Sequence, residues 1–224
     1  MKHSLKVVAT AVVGSLAING LVQAAGHQEG DFILRVGAAY VSPNDDSSNV
    51  LSDNDGVEVD GALGLGFSGT WMFADQWGFE ILAALPFEHD IDGTGDLSGV
   101  SIGSVKHLPP TFSVQFYPDV QSDYFIPYFG LGLNYTTFTD EDTDSELEAA
   151  LGSNDVDLDL DDSFGIAAQI GADWKISDDL YFNTSLWYMQ IDTDADVKVD
   201  GVVATTVDVD IDPWVAMIGL SWKF

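Results

Sequence analysis

Few side chains in this chain are of the types that perform catalysis. There is no cysteine, and beyond His3 the histidines are His27, His89 and His107, far apart along the sequence. A histidine base needs a nucleophile or a carboxylate partner in hydrogen-bond reach, and no nucleophile motif accompanies any of the three. We therefore expect no enzyme, no catalytic residue and no cofactor.

Carboxylates are the most abundant chemically active groups. The chain has 37 acidic against seven basic residues, and residues 140–162 contain eleven acids and no base. This charge excludes nucleic acid as a partner. Two interpretations of the acidic segments stay open: a solvated surface of mutually repelling charges, or binding of divalent cations, for which carboxylate oxygens are suitable ligands. No particular residues are assigned as a metal site.

The N-terminus has the features of a secretory signal. Lys2, His3 and Lys6 precede an apolar run over 7–21, and Val22-Gln23-Ala24 has the small-x-small pattern of a signal-peptidase site. We predict a signal peptide over 1–24 and a single exported domain over 25–224. Without cysteine, that domain uses no disulfide for its stability.

The rest of the chain alternates with a period of two rather than the period of a helix. In 62–73, for example, Leu63, Leu65, Phe67 and Trp71 alternate with small residues. Eight such segments are found, at 32–40, 62–73, 77–87, 108–117, 125–138, 163–174, 180–191 and 207–224. Short turns near 74–76, 118–123 and 175–179 separate them on one side, and long loops near 42–60, 90–105, 139–162 and 193–206 on the other.

Side-chain size decides where such a barrel resides. A soluble eight-stranded barrel would have to hold Phe67, Trp71, Phe112 and Phe129 inside, where there is no room for them. The large apolar face must point outward into lipid, where only a closed barrel satisfies every strand. We predict an all-β fold, an eight-stranded antiparallel transmembrane β-barrel of the outer membrane, with periplasmic N- and C-termini and long acidic extracellular loops.

The C-terminal strand supports the same location. Leu220, Trp222 and Phe224 share one face, and a chain ending on Phe after alternating apolar residues resembles the assembly signal of outer-membrane proteins. The expected partners are outer-membrane lipid, lipopolysaccharide and the barrel-assembly machinery. A girdle of aromatic residues is predicted beside the short turns, formed by Trp71, Phe73, Trp77, Tyr124, Trp174, Tyr181 and Trp222.

Several blocks of the sequence, in order, resemble the OmpW family of outer-membrane proteins. They include Glu80-Ile81-Leu82-Ala83-Ala84-Leu85-Pro86-Phe87, His107-Leu108-Pro109-Pro110-Thr111, the segment 127–138, Trp187-Tyr188-Met189-Gln190 and Asp212-Pro213-Trp214. The resemblance implies a narrow barrel with an unusually apolar lumen that passes small hydrophobic molecules across or into the outer membrane. A closed structural or adhesive barrel is the alternative.

The lumen is predicted partly from alternation and partly from the resemblance. Alternation directs Arg35, Glu80, Met189 and Met217 inward, with Arg35 and Glu80 as partners. The resemblance places the lumen constriction at Leu82 and Trp187, although both could merely fill a narrow barrel. Prolines beside the strands mark either kinks at the rim or a break in pairing through which a solute could leave sideways; these are Pro86, Pro109, Pro110, Pro127 and Pro213.

Overall fold

The computed structural model describes residues 26–47, 55–122, 124–153 and 155–224, and within them a closed barrel of eight antiparallel strands. Neighbouring strands around the barrel are, in order, β1 (Phe32–Ser42), β4 (Ala62–Ala74), β5 (Trp77–Ala84), β8 (Thr111–Phe116), β9 (Phe125–Thr143), β11 (Ser163–Lys175), β12 (Leu180–Met189) and β15 (Trp214–Lys223). β15 pairs with β1 and closes the barrel, with Val36 opposite Leu220. The predicted fold class is confirmed.

The barrel is apolar outside and polar inside, as the alternation of residue sizes requires. Outward side chains are large and exposed; Leu131 is 74% accessible and Phe129 49%. Inward positions on the same strands carry small or hydrogen-bonding residues, and Thr70, Gln115 and Asn134 are completely buried. Lipid takes the place of a core on the outside, while the inside has to satisfy its polar groups within the lumen.

The predicted long loops are largely strands. At the loop end, opposite the short turns, lie β2 (Asp46–Ser47), β3 (Asp55–Val59), β6 (Phe87–Gly95), β7 (Ser101–Leu108), α1 (Ser145–Leu151), β10 (Val156–Leu160), β13 (Asp192–Val199) and β14 (Val202–Asp210). Together with β9 from Thr137 onward, we call these elements the crown. β3, β6, β7 and the end of β9 pair into one sheet, and β10, β13, β14 and β2 form another.

In the crown the polarity of the two faces is reversed. Along β14, Val207 and Val209 are buried whereas Asp208 and Asp210 are exposed, and β6 repeats this pattern with Ile91 buried beside an exposed Asp90. A strand surrounded by water places its acids outside and its valines inside. The connections predicted as long loops therefore contain strands, which pair with one another beyond the barrel.

Prolines mark the boundary between barrel and crown. Pro86 separates β5 from β6, Pro109 and Pro110 separate β7 from β8, and Pro213 separates β14 from β15. The single strand predicted over 207–224 is therefore two strands, because Pro213 lacks a backbone donor. Pro127 differs from the others, since it lies within β9 opposite Ala172.

One residue of the predicted aromatic girdle faces the other way. Tyr181 is only 3% exposed and lies inside the barrel, on the same face of β12 as Asn183. Trp71, Phe73, Trp77, Tyr124 and Trp174 are exposed on the outside as predicted. The described ranges contain no helix that is long and apolar enough to cross a membrane. The predicted signal peptide, 1–24, lies outside the described residues.

Candidate functional site

The half of the lumen near the short turns is filled by charged and polar side chains around Arg35. This guanidinium is fully buried; its Nη2 atom donates to Asp173 Oδ2 at 2.6 Å, and its Nη1 atom lies 3.4 Å from Glu80 Oε1. The predicted proximity of Arg35 and Glu80 is therefore present in the structure. The shorter contact, to Asp173, was not foreseen, although Asp173 alternates with the outward Trp174 and its inward direction could have been read from the sequence.

The remaining oxygens of these carboxylates are satisfied by neutral partners. Glu80 accepts from Gln169 Nε2 at 2.6 Å and from Ser68 Oγ at 2.7 Å, while Asp173 accepts from Asn183 Nδ2 at 2.8 Å. Buried charges are tolerated only when paired and hydrogen-bonded in this way. We call this set, with Arg35, the polar plug; its hydrogen bonds cross the lumen at the turn end.

His27 belongs to the turn-end side of the plug. Its Nε2 atom is 3.1 Å from Asp173 Oδ2, and its ring contacts Tyr117 and Tyr181 edge-on. Ser221 Oγ donates to Asp173 rather than to the imidazole. A histidine base with an activated hydroxyl is thus not assembled at this position, and His27 tethers the N-terminal segment to the lumen.

Beyond the plug the lumen becomes an apolar cavity of about 20 Å³. The structure brings four of the predicted lumen residues together in its wall, namely Leu82, Trp187, Met189 and Met217. Trp187 is 2% exposed and is the largest fully buried side chain among the described residues. We call this space the inner cavity.

A second apolar cavity, of about 50 Å³, lies within the crown. Val57, Ile91, Ile102 and Leu158 are among its lining residues, and His107 borders both this outer cavity and the inner one. The buried hydrophobic side chains of the two regions form one continuous cluster from Ala39 to Leu147 and Val197. The interior is therefore apolar from the crown to the polar plug, and we call this apolar stretch the apolar path.

Two histidines stand on this path. The rings of His89 and His107 stack with centroids 4.7 Å apart, and both residues are almost fully buried. Burial is the main cause that lowers the pKa of His107 to about 3, and the neighbouring His89 lowers it further. Burial also lowers the pKa of His89. Both imidazoles are therefore neutral at ordinary pH. The sequence indicated only that His107 belonged to a family block near the rim.

Strand pairing is interrupted on one side of β5, where the prolines lie. β5 and β8 pair up to Leu82 and Thr111, and β6 and β7 begin again at Phe87 and His107. Consecutive residues Ala83 and Ala84 both line the inner cavity, so the cavity reaches the wall there. The Phe87 ring covers the neighbouring strand so closely that a Cβ on Gly64 would lie 2.6 Å from it. Only a glycine fits beneath this ring.

The acidic outer surface of the crown forms a shallow groove. Asp161, Asp162, Asp192, Asp194 and Asp210 line it. A hydrogen bond with Asp208, with burial a smaller cause, raises the pKa of Asp194. Within the ranges that the structure describes, no group of three or more histidine or acidic residues is arranged to hold a metal ion. The geometry thus adds nothing to the interpretation that these acids bind cations.

Comparison with known proteins gives the family. The model of the OmpW family matches residues 28–224. The chain is 46% identical over 201 residues to outer membrane protein W of Vibrio cholerae serotype O1, covering 88% of this chain and 90% of the relative. The chain belongs to the OmpW family.

Solved structures agree with this assignment. The crystal structure of the outer membrane protein OprG from Pseudomonas aeruginosa superposes with a TM-score of 0.81 at 42% identity, covering 90% of this chain and 99% of OprG. The solid-state NMR structure of AlkL in lipid bilayers, at 20% identity and a TM-score of 0.67, shares the fold; the alignment covers 93% of this chain and 97% of AlkL. Like its OmpW relatives, this protein is an integral protein of the outer membrane, and its exposed apolar band contacts lipid.

The OmpW match extends through the C-terminal strand. Phe224 is 72% exposed and Leu220 37%, on the lipid side of β15, while Trp222 is partly buried. The three residues predicted as an assembly signal therefore lie on one outward face at the edge of the barrel. Phe224 also exchanges backbone hydrogen bonds with Phe32, so the last residue completes the closure of the barrel.

Proposed function

We propose that this protein is an outer-membrane channel that admits small hydrophobic molecules through the crown and releases them sideways into the membrane. The observation that carries the proposal is the continuous apolar path, which begins in the outer cavity and ends at the polar plug. An apolar solute gains by leaving water for this path, but it cannot replace the hydrogen bonds of Arg35, Glu80 and Asp173. The interrupted pairing beside Ala83 and Ala84 gives it an exit.

Leu82 and Trp187 form the constriction in this proposal. Both are buried in the wall of the inner cavity. The cavity holds little more than one water-sized sphere, so a solute passes only if these side chains move. Trp187 is the larger obstacle of the two.

Uptake of an apolar fluorescent probe by cells producing each variant tests the constriction. Trp187→Ala should raise uptake by widening the passage, and Leu82→Asp should lower it by placing a charge among apolar side chains. Leu186→Ala is the matched control, because Leu186 neighbours Trp187 on β12 and faces lipid. Heat-modifiable migration in gels verifies folding. Equal uptake by all folded variants would show that Leu82 and Trp187 do not form a constriction, and it would favour the closed structural or adhesive barrel.

The sideways exit has a separate test. In Ala83→Trp a bulky ring should block the wall beside the inner cavity and reduce uptake, whereas Ala38→Trp, on a lipid-facing position of β1, should not. Undiminished uptake in a folded Ala83→Trp variant would show that solutes leave by another route.

The crown faces outside in this proposal, and both termini are periplasmic. Its acidic exterior suits contact with water and with the cation-bridged lipopolysaccharide surface. Protease added to intact cells should cut within 139–162 and spare the turn at 176–179. The reverse pattern would invert the orientation.

The barrel-assembly machinery is the proposed partner of Leu220, Trp222 and Phe224. Deletion of Phe224 should lower the amount of folded barrel in the membrane, because both an exposed apolar side chain and the backbone bonds to Phe32 are lost. Deletion of the exposed Val202, in the crown, is the control. Equal amounts of folded protein in the two deletions would contradict an assembly role.

A further inference from the structure

Two buried polar atoms along the apolar path have no hydrogen-bond partner among the described residues. They are Nε2 of His89 and Nε1 of Trp187, and each side chain is 2% exposed. Unpaired polar atoms are rare in protein interiors because each one loses its hydrogen bond to water without replacement. A passing ligand could supply what these two atoms lack.

The two atoms have opposite hydrogen-bonding character. His89 Nδ1 lies 2.6 Å from the backbone oxygen of Asp60, and since a carbonyl only accepts, Nδ1 carries the proton. In the neutral ring, Nε2 is then a lone-pair acceptor. The indole nitrogen of Trp187 can only donate.

Their positions follow the path of a solute. His89 lines the outer cavity and Trp187 the inner one, with His107 at the border of both. A solute entering from the crown meets the acceptor first and the donor second. The remaining lining residues named above offer side chains that are almost entirely apolar.

We propose that the passage selects apolar molecules that carry a single hydroxyl group, alcohols and phenols, over hydrocarbons of the same shape. This inference rests on the proposed channel function and specifies its substrate class. A hydroxyl can donate to His89 Nε2 and, further along, accept from Trp187 Nε1. A hydrocarbon leaves both atoms unpaired. A carboxylate has no proton for His89 and brings a charge into an apolar cavity.

Phenol, benzene and benzoate test the selection, with the full-length folded protein in lipid nanodiscs. Protein-free nanodiscs fix the free concentration of each compound. Phenol should bind about fivefold more tightly than benzene, the size expected of one neutral hydrogen bond, and benzoate most weakly. In ¹⁵N NMR spectra, phenol should move the Trp187 indole and His89 imidazole signals in the direction that hydrogen-bond formation produces, and benzene should not.

Two variants remove the polar atoms while keeping aromatic rings. His89→Phe and Trp187→Phe should each lower the ratio of phenol affinity to benzene affinity, because each variant lacks one of the two unpaired polar atoms. Trp214→Phe is the control, because Trp214 is exposed on the outside of β15. If either variant fails to fold, the NMR shifts of the unaltered protein still decide.

The possible outcomes distinguish a failure of the hydroxyl selection from a failure of the proposed channel. Equal binding of phenol and benzene, or an unchanged preference in both folded variants, would overturn the selection for hydroxyl groups and leave the apolar channel. If neither compound binds the unaltered protein, the channel proposal itself is overturned.

Discussion

The barrel and the crown are built from the same alternating strands and expose opposite faces. On β9 the lipid-facing Leu131 is exposed and Asn134 is buried, whereas on β14 Asp208 is exposed and Val209 is buried. The difference lies in the surrounding medium. Lipid accepts large apolar side chains and leaves the lumen to satisfy polar groups, while water accepts the aspartates and drives valines into a core.

This inversion accompanies a change in the interior. The lumen is polar near the short turns, and it becomes apolar toward the crown. A fully buried Arg35 is stable in the first environment because Asp173 and Glu80 pair with it. In the second, the buried His89 and His107 are held neutral. The boundary between the two interiors is the inner cavity, at the level of Leu82 and Trp187.

The largest predicted effect on stability comes from a substitution that disrupts the polar interior of the barrel. Arg35→Leu should lower the free energy of unfolding by about 3–5 kcal/mol, because two buried carboxylates lose their cation. Urea titration of the folded barrel in lipid, followed by gel migration, measures the change. Lys106→Leu is the control, since Lys106 pairs with Asp140 on the exposed surface of the crown and its loss should leave the midpoint unchanged. Equal stability of Arg35→Leu and the unaltered protein would mean that the plug contributes no stability.

A second prediction compares the two exteriors with one substitution. Leu131→Arg places a charge on the lipid face near the middle of a barrel strand and should cost about 2–4 kcal/mol. Val203→Arg, on an exposed position of β14 in the crown, should be tolerated because its surroundings are water and aspartates. The same urea titration measures both variants. Similar costs at the two sites would contradict the assignment of lipid to one surface and water to the other.

A third prediction concerns protonation in the crown interior. Burial lowers the pKa of His107 from its ordinary 6.5 to about 3, with His89 adding to the shift. Between these values the unfolded chain binds a proton that the folded crown does not, so stability falls as pH drops below about 6.5. The His107 imidazole signal in NMR should stay constant from pH 7 to pH 4.

The urea-unfolded chain provides the reference for this titration. There the same signal should move with a midpoint near the ordinary histidine value. A midpoint near that value in the folded protein would show that water reaches His107 and that the outer cavity is not apolar.

The alternation of residues along each strand was sufficient to predict the architecture of the barrel. Side chains alternate across a strand whatever its partners, so Leu63, Leu65 and Phe67 had to share a face. Their volume excluded the lumen, and lipid was the remaining medium. Arg35 and Glu80 could be directed inward by the same counting, and the family blocks supplied Leu82 and Trp187.

Other features depended on which strands became neighbours. Asp173 is 138 residues from Arg35 and reaches it only because β11 and β1 stand across the lumen from one another. The stacking of His89 on His107 needs the pairing of β6 with β7, within a segment that the sequence indicated as loop. Tyr181 is different, because it shares the parity of Met189 on β12 and the alternation that directed Met189 inward also directs Tyr181 inward.

Alternation and side-chain volume act locally along each strand, so they were enough to predict an eight-stranded barrel in lipid. The polar end of the lumen, its apolar end and the two unpaired polar atoms became visible only in the folded structure. Contacts across a lumen join residues that are far apart in the chain, and the alternation of residues along one strand does not indicate them.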